Sequence, residues 1–191
     1  MRILIADYLS PDAAEKLRTK MLAESLANAG HEVRLLVSPA GNSPDFSLAQ
    51  LSNEQLAAYR DGLRQQLDAA VNDFDPNVAQ AQEIGMWGQL LVESGVPFVL
   101  TANTRDFVAM DRDPRLAELA EQAAENAGRI LAANETLAHE VRRRYPGVEG
   151  RVIVQPELDP ITESALSPAF VVTLCNLYEQ VIRERLGTMP P

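Results

Sequence analysis

The sequence predicts an α/β fold: a three-layer Rossmann-like domain whose mainly parallel sheet of about six strands carries helices on both faces. Short runs rich in Val, Ile and Leu alternate along the chain with longer segments whose apolar residues recur every three or four positions. The short runs are typical of buried strands, and the longer segments are typical of amphipathic helices. Strands that alternate with helices in this way form parallel sheets with both faces covered.

The amino-terminal part of the chain predicts a β-α-β unit. Residues 2–7 form a buried strand, 13–29 form an amphipathic helix that Gly30 ends, and 31–37 form a second strand. The loop between the first strand and the helix would lie at the carboxyl edge of the sheet, where parallel sheets bind ligands. A helix amino terminus at that edge attracts an anion. However, the first 29 residues contain no glycine, which hinders a close approach of the backbone to a pyrophosphate.

The remaining elements follow in the same alternation. Residues 38–51 are rich in proline, glycine and serine and predict a long surface loop. Ser52 with Gln55 resembles a capping box before a helix, and Asp113 with Pro114 is typical of a helix start. Further strands are expected at 77–82, 97–102, 129–133 and 151–154, and further helices at 53–71, 86–94, 135–144 and about 168–186.

The chain is expected to hold one domain and a carboxyl-terminal helix. Residues 1–156 form the Rossmann-like domain, and 157–167, which include Pro160 and little periodicity, form a linker. Residues 168–191 carry a helix with one apolar face and no strand after it. We expect this helix to pack back on the same domain, or against a partner.

Charge and composition exclude several classes of function. The net charge is −10, whereas nucleic acids require a basic surface, so we expect no nucleic-acid partner. The two histidines are far apart and there is one cysteine, so we expect no metal site. No apolar run approaches the ~20 residues of a membrane span. The apolar run at the amino terminus ends at Asp7 and is too short for a secretory signal. We therefore expect a cytoplasmic protein without a transmembrane segment.

Residues 22–33, 75–82, 85–91, 96–102, 129–135 and 152–156 form a series of short segments. In this order they resemble segments of the amino-terminal, acceptor-side domain of GT-B glycosyltransferases of the glycosyltransferase 4 type. Residues 75–82, DPNVAQAQ, resemble the family's DPDVVHAH segment. Residues 22–33 resemble the family's first helix and second strand, and residues 85–91 and 96–102 resemble its next helix and strand. Residues 129–135 resemble the strand before its SE motif, and residues 152–156 resemble the strand before its PNGVD motif. The match extends over about residues 1–160.

The resemblance implies an incomplete glycosyltransferase. In this family the chain ends with a helix that crosses back onto the first domain, and residues 178–182 are similar to it. The residues between 155 and 168 then stand where a second domain normally binds the nucleotide sugar. Hexosyl transfer to a sugar or glycosylated small-molecule acceptor would then require a donor domain from another chain. The expected protein partner is a donor-domain protein or a second copy of this chain in a homo-oligomer. No cofactor is expected; a nucleotide sugar would be the donor substrate.

Several positions depart from the family's pattern. The family's glycine-rich loop is here an acidic stretch that contains Asp12, which would repel a diphosphate. The two histidines of the HAH strand are Gln80 and Gln82, and the HGTD turn is Asn103 to Asp106, where only the aspartate is kept. Carboxamides bind sugar hydroxyls but do not transfer protons near neutral pH. The residue types therefore favour binding over proton transfer.

Candidate site residues lie after the predicted strands, and most have a structural alternative. Trp87 could stack on a sugar ring or pack in the core, and Glu135 could touch a ligand or favour its helix start. Arg105 could pair with Asp106 or clamp a phosphate or carboxylate. The expected substrate-binding residues are Asp12, Gln82, Trp87, Asn103, Arg105, Asp106 and Glu135, and the candidates for a catalytic role are Asp106 and Glu83.

Two functions remain open at this point. The chain is either the acceptor-binding half of a glycosyltransferase or a non-catalytic helper or binding protein with the same half fold. A receiver domain is disfavoured because it needs an acidic pair after the first strand and a late lysine, whereas here Asp7 stands alone and both lysines, Lys16 and Lys20, lie in the first helix.

Overall fold

A computed structural model describes residues 1–8, 13–38, 48–156 and 166–187, with only the backbone at 8 and 13–16. The strands are β1 Arg2–Tyr8, β2 Glu32–Ser38, β3 Val78–Ala81, β4 Phe98–Thr101, β5 Arg129–Ala132 and β6 Val152–Val154. The helices are α1 Ala13–Asn28, α2 Asn53–Phe74, α3 Met86–Ser94, α4 Thr104–Arg112, α5 Pro114–Asn126, α6 Glu135–Arg144 and α7 Pro168–Arg185, with 3-10 turns at Leu48–Gln50 and Pro146–Arg151.

The six strands form one parallel sheet in the order β2-β1-β3-β4-β5-β6. Strand β1 pairs with β2 on one side and β3 on the other, so the chain changes direction across the sheet at β1. Such a change places a crevice at the carboxyl edge. The predicted α/β fold with a parallel sheet of about six strands is confirmed.

Alternate residues of each strand face two separate cores. In β1, Leu4 and Ala6 join the core under α2 to α6, whereas Ile3 and Ile5 join the core under α1 and α7. This alternation follows from the two-residue period of a strand. Helices therefore cover the sheet on both faces, as the continuous apolar runs predicted.

Helix α7 covers one face of the sheet. Leu174, Tyr178 and Val181 are buried against the strands. At Gly128, just before β5, an added Cβ would lie 2.5 Å from a methyl group of Val181. The absence of a side chain at Gly128 therefore lets α7 approach the sheet closely.

The structure differs from the sequence prediction mainly after β4. Residues 104–112 form α4, a helix that the sequence pattern does not predict, since only Phe107 and Met110 give it a buried face. The predicted long loop contains the turn Leu48–Gln50, and residues 39–47 lie outside the described part. Leu17 of α1 is exposed, although α1 is predicted to be amphipathic. In the described part of the chain, no helix has the length and apolar character that a bilayer crossing needs.

Candidate functional site

The polar residues that follow the strands meet at the carboxyl edge of the sheet. We call residues 82–85, which connect β3 to α3, the rim segment. This segment lies beside the start of α4, because β3 and β4 are neighbours in the sheet. Asp7 closes β1 at the same edge and is buried, and its Oδ2 accepts a hydrogen bond from Thr19 Oγ1 of α1 at 2.6 Å. No sequence signal identified Thr19.

Asn103 and Asp106 cap α4 and hold the rim segment at the same time. The backbone N–H of Asp106 donates to Asn103 Oδ1 at 3.0 Å, and the backbone N–H of Asn103 donates to Asp106 Oδ2 at 3.3 Å. The same Oδ2 accepts from Ile84 N at 3.1 Å, and Asn103 Nδ2 donates to the carbonyl oxygen of Gln82 at 3.2 Å. Two side chains thus join the segment after β3 to the helix after β4.

The environment of Asp106 changes its acidity. Burial raises the pKa of Asp106 to about 7, against the opposing effects of the N–H groups of Ile84 and Asn103 and the Arg105 guanidinium. Burial disfavours the charged form of a carboxyl group, and hydrogen bonds to the carboxylate favour it. Asp106 is therefore divided between its two protonation states near neutral pH.

Glu83 is buried and lies just before α3. One of its carboxylate oxygens accepts a hydrogen bond from the backbone N–H of Trp87, at a helix start where Gly85 offers no side chain. A carboxylate at a helix amino terminus is stabilising. Burial raises the pKa of nearby Tyr59 to about 12; the hydrogen bond with Ser38 opposes this increase, and the charge of Glu83 adds to it.

The two glutamines of the β3 region have different surroundings. Gln80 is fully buried; its Nε2 donates to Thr101 Oγ1 at 2.8 Å and its Oε1 accepts from the hydroxyl of Tyr178 in α7. Gln82 lies at the edge of the sheet and is half-buried. Its Nε2 has no hydrogen-bond partner among the described residues. Gln80 therefore holds the fold together, whereas Gln82 keeps a donor group at the rim.

The remaining candidates are scattered. Trp87 is completely buried, so its ring offers no surface to a ligand, and its indole N–H has no partner among the described residues. Arg105 is exposed at the start of α4. Glu135 is exposed at the start of α6, where its carboxylate lies 3.4 Å from the guanidinium of Arg142. Asp12 lies outside the described residues.

The site is rich in hydrogen-bonding groups. Amide donors, carboxylates and one guanidinium meet within the rim segment and the start of α4, a set suited to hydroxyl groups. Within the described ranges no group of three or more His, Cys, Asp or Glu side chains is placed to hold a metal ion. His31 lies at the start of β2, on the opposite edge of the sheet.

Comparisons with known proteins agree with this architecture. The family model described as Glycosyltransferase Family 4 matches residues 18–157. The search of curated proteins found no match.

Solved structures match in fold at low sequence identity. A chain of sucrose-phosphate synthase from Thermosynechococcus elongatus is 16% identical with a TM-score of 0.60, over 95% of this chain and 99% of that one. MnaA of S. aureus, in a structure with UDP, is 14% identical with a TM-score of 0.59, over 84% of this chain and 46% of that one.

A UDP-GlcNAc 2-epimerase from Neisseria meningitidis, bound to UDP-GlcNAc, is 14% identical with a TM-score of 0.59, over 97% of this chain and 52% of that one. This chain therefore spans about half the length of MnaA and of the epimerase. At these identities, the likeness shows the fold.

Proposed function

The chain belongs to Glycosyltransferase Family 4, and from this premise we propose that it is the acceptor-binding half of a glycosyltransferase. A sugar would pass from a nucleotide-sugar donor to a hydroxyl group of a sugar or glycosylated small molecule. Transfer would occur only when a donor domain faces the carboxyl edge of the sheet.

Two observations support the division of labour between halves. This chain spans about half the length of MnaA and of the epimerase, in structures that contain UDP and UDP-GlcNAc. The rim of the described part is built from amides and carboxylates, with Arg105 the cation at the start of α4. A nucleotide diphosphate requires more positive charge than this, whereas sugar hydroxyls are well matched by amides and carboxylates.

The rim would bind and orient the acceptor. Gln82 donates from Nε2 to an acceptor oxygen, and Arg105 lies at the start of α4 within the same edge. The side-chain amide of Asn103 donates to the backbone carbonyl oxygen of Gln82 at 3.2 Å. This hydrogen bond fixes the backbone from which the Gln82 side chain extends. A donor domain that closes over this edge would exclude water and protect the activated sugar from hydrolysis.

The single observation that carries the proposal is the contrast between two glutamines near β3. The side chain of Gln80 is hydrogen-bonded to Thr101 and Tyr178, whereas the buried Nε2 of Gln82 has no partner among the described residues. A buried donor without a partner costs free energy unless something binds it. Because this nitrogen is buried, the side chain of Gln82 would turn toward the carboxyl edge before an acceptor hydroxyl satisfied it.

Titration followed by amide NMR tests the proposal. Glucose and N-acetylglucosamine serve as acceptor probes and UDP as the donor-side probe. We expect the sugars to shift the signals of Gln82 and Asn103 and UDP to leave them unchanged. Gln82→Met should weaken sugar binding, whereas Gln122→Met, at an exposed glutamine of α5, should not. Binding of UDP at the rim, or no sugar-induced shift, would contradict the acceptor role.

A second function is favoured by the way in which the carboxylates are used. Glu83 accepts the backbone N–H of Trp87, and Asp106 accepts those of Ile84 and Asn103, so each already serves a helix start. A non-catalytic helper with a GT-B half fold would need no general base. Complex formation with a partner protein, without any response to the sugars, would support this alternative.

A further inference from the structure

Asp106 joins two parts of the carboxyl edge through a single oxygen atom. Its Oδ2 accepts hydrogen bonds from the backbone N–H groups of Ile84, at 3.1 Å, and Asn103, at 3.3 Å. Ile84 belongs to the rim segment and Asn103 caps α4. Asp106 therefore links the rim segment to the start of α4.

The helix cap does not require the charge of Asp106. An asparagine at this position would accept the same two hydrogen bonds and occupy nearly the same volume. Burial raises the pKa of Asp106 to about 7, so the ionised form costs the fold free energy above neutral pH. Ionisation in turn strengthens both hydrogen bonds, because charge-assisted hydrogen bonds are about twice as strong as neutral ones.

We propose that Asp106 is a positioning residue whose ionised carboxylate holds the rim segment in the shape that presents Gln82 and Glu83, and whose protonation loosens that segment. The presentation of these groups to an acceptor hydroxyl rests on the proposed function. The coupling between Asp106 and the rim segment rests on contacts within this chain alone.

Titratable groups of several elements lie near Asp106. Arg105 acts on it from α4 and Glu83 lies beside Ile84 in the rim segment. Just after α6, Tyr145 lies within range of the charge of Asp106, and burial raises the pKa of that phenol to about 12, so it does not titrate near neutrality. The turn Leu48–Gln50, which packs against α4, carries no titratable side chain.

A ligand-free experiment decides the coupling. In amide NMR spectra recorded from pH 5.5 to 8.5, the signals of Ile84 and Asn103 should move together with a midpoint near 7. Their protons should shift downfield with rising pH, because the hydrogen bonds strengthen. The signals of Gln82 and Glu83 should follow with the same midpoint. Movement of Ile84 and Asn103 without Gln82 and Glu83 would overturn the proposal.

Three variants assign the titration to one group. Asp106→Asn should abolish the shared midpoint, whereas Glu83→Gln should keep it at Ile84 and Asn103. The matched control is Asp113→Asn, at the carboxylate that caps α5; Arg115 lowers the pKa of Asp113, so this variant should leave the midpoint near 7 in place. A midpoint that survives Asp106→Asn, or is lost in Glu83→Gln, would refute the role of Asp106.

Sugar binding then tests the consequence at the site. From pH 8 to pH 6 the ionised fraction of a group with a pKa near 7 falls about tenfold, so the dissociation constant for N-acetylglucosamine should rise by about that factor. Asp106→Asn should remove this pH dependence. Equal wild-type affinity at both pH values would overturn the proposal. Absence of sugar binding at every pH would instead contradict the proposed function, while the shared midpoint would still support the coupling.

Discussion

The rim of the carboxyl edge and the face under α7 use similar residues for different purposes. On the α7 face, Gln80 is buried and bonded to Thr101 and Tyr178. Two residues further on, Gln82 lies where the strand has ended and keeps an amide donor that no described residue satisfies. Distance from the sheet edge, rather than residue type, therefore separates a structural glutamine from a candidate binding residue.

The largest effect that distinguishes the two regions should come from truncating a buried side chain of α7. Tyr178→Ala should lower the free energy of unfolding by about 3–5 kcal/mol, because it leaves a large cavity beneath the helix. Val172→Ala, at an exposed position of the same helix, should change it by less than about 0.5 kcal/mol. Urea denaturation measures both. A small loss for Tyr178→Ala would mean that α7 adds little to the fold.

The two glutamines offer the most direct comparison. Gln80→Met should cost about 1–3 kcal/mol, since it leaves the buried hydroxyls of Thr101 and Tyr178 without their shared partner. Gln82→Met should cost less than about 0.5 kcal/mol. Equal losses of unfolding free energy in urea would remove the distinction between the two regions.

The rim should also depend on pH in a way that the α7 face does not. The pKa of Asp106 is raised in the folded protein, from an ordinary value of 3.8 to about 7. Its contribution to stability is therefore fully present below about pH 4 and is lost as the pH rises through 7. Asp106→Asn should therefore lose less stability than the wild-type protein between pH 5 and pH 8. Thermal unfolding of the wild-type protein and of the variant at pH 5 and pH 8 measures this. If the two proteins differed in stability by the same amount at both pH values, the result would argue against a buried charge at Asp106.

Two helix caps offer a further comparison, with modest effects on stability. Ser52→Ala removes the capping box of α2 and should cost about 1 kcal/mol, with no change at the rim. Asn103→Ala should cost a similar amount and should also shift the amide signals of Gln82 and Ile84, because Asn103 holds the carbonyl of Gln82. Calorimetry and amide NMR of both variants would reveal whether the rim segment depends on the α4 cap. If Asn103→Ala left the rim signals unchanged, the rim segment would not depend on the α4 cap.

Much of the fold was predictable because its signals are local. The apolar runs at 2–7, 97–102 and 129–133 gave strands, and Ser52 with Gln55 gave the capping box that the structure contains. Helix α4 was missed although Asn103 and Asp106 have capping-box spacing, since the residues were interpreted as a turn. The family resemblance is confirmed by the match over residues 18–157.

The site was less predictable because its contacts are not local. Gln80 finds Tyr178 98 positions later, and no short pattern reports such a partner. The burial of Trp87 and Glu83 and the half-buried position of Asp106 depend on how α3 and α4 pack, which the sequence pattern leaves open. The roles expected for Gln82, Asn103, Arg105 and Glu135 stay predictions.

The late position of α7 has a consequence for synthesis of the protein. Ile3, Val78, Val99 and Leu131 face the layer that α7 completes. While a ribosome makes the chain, these strands emerge long before the helix that shields them. Contacts between such distant parts form slowly and leave apolar surface open to aggregation. A nascent chain that ends before residue 168 should thus bind chaperones more strongly than one that has released α7.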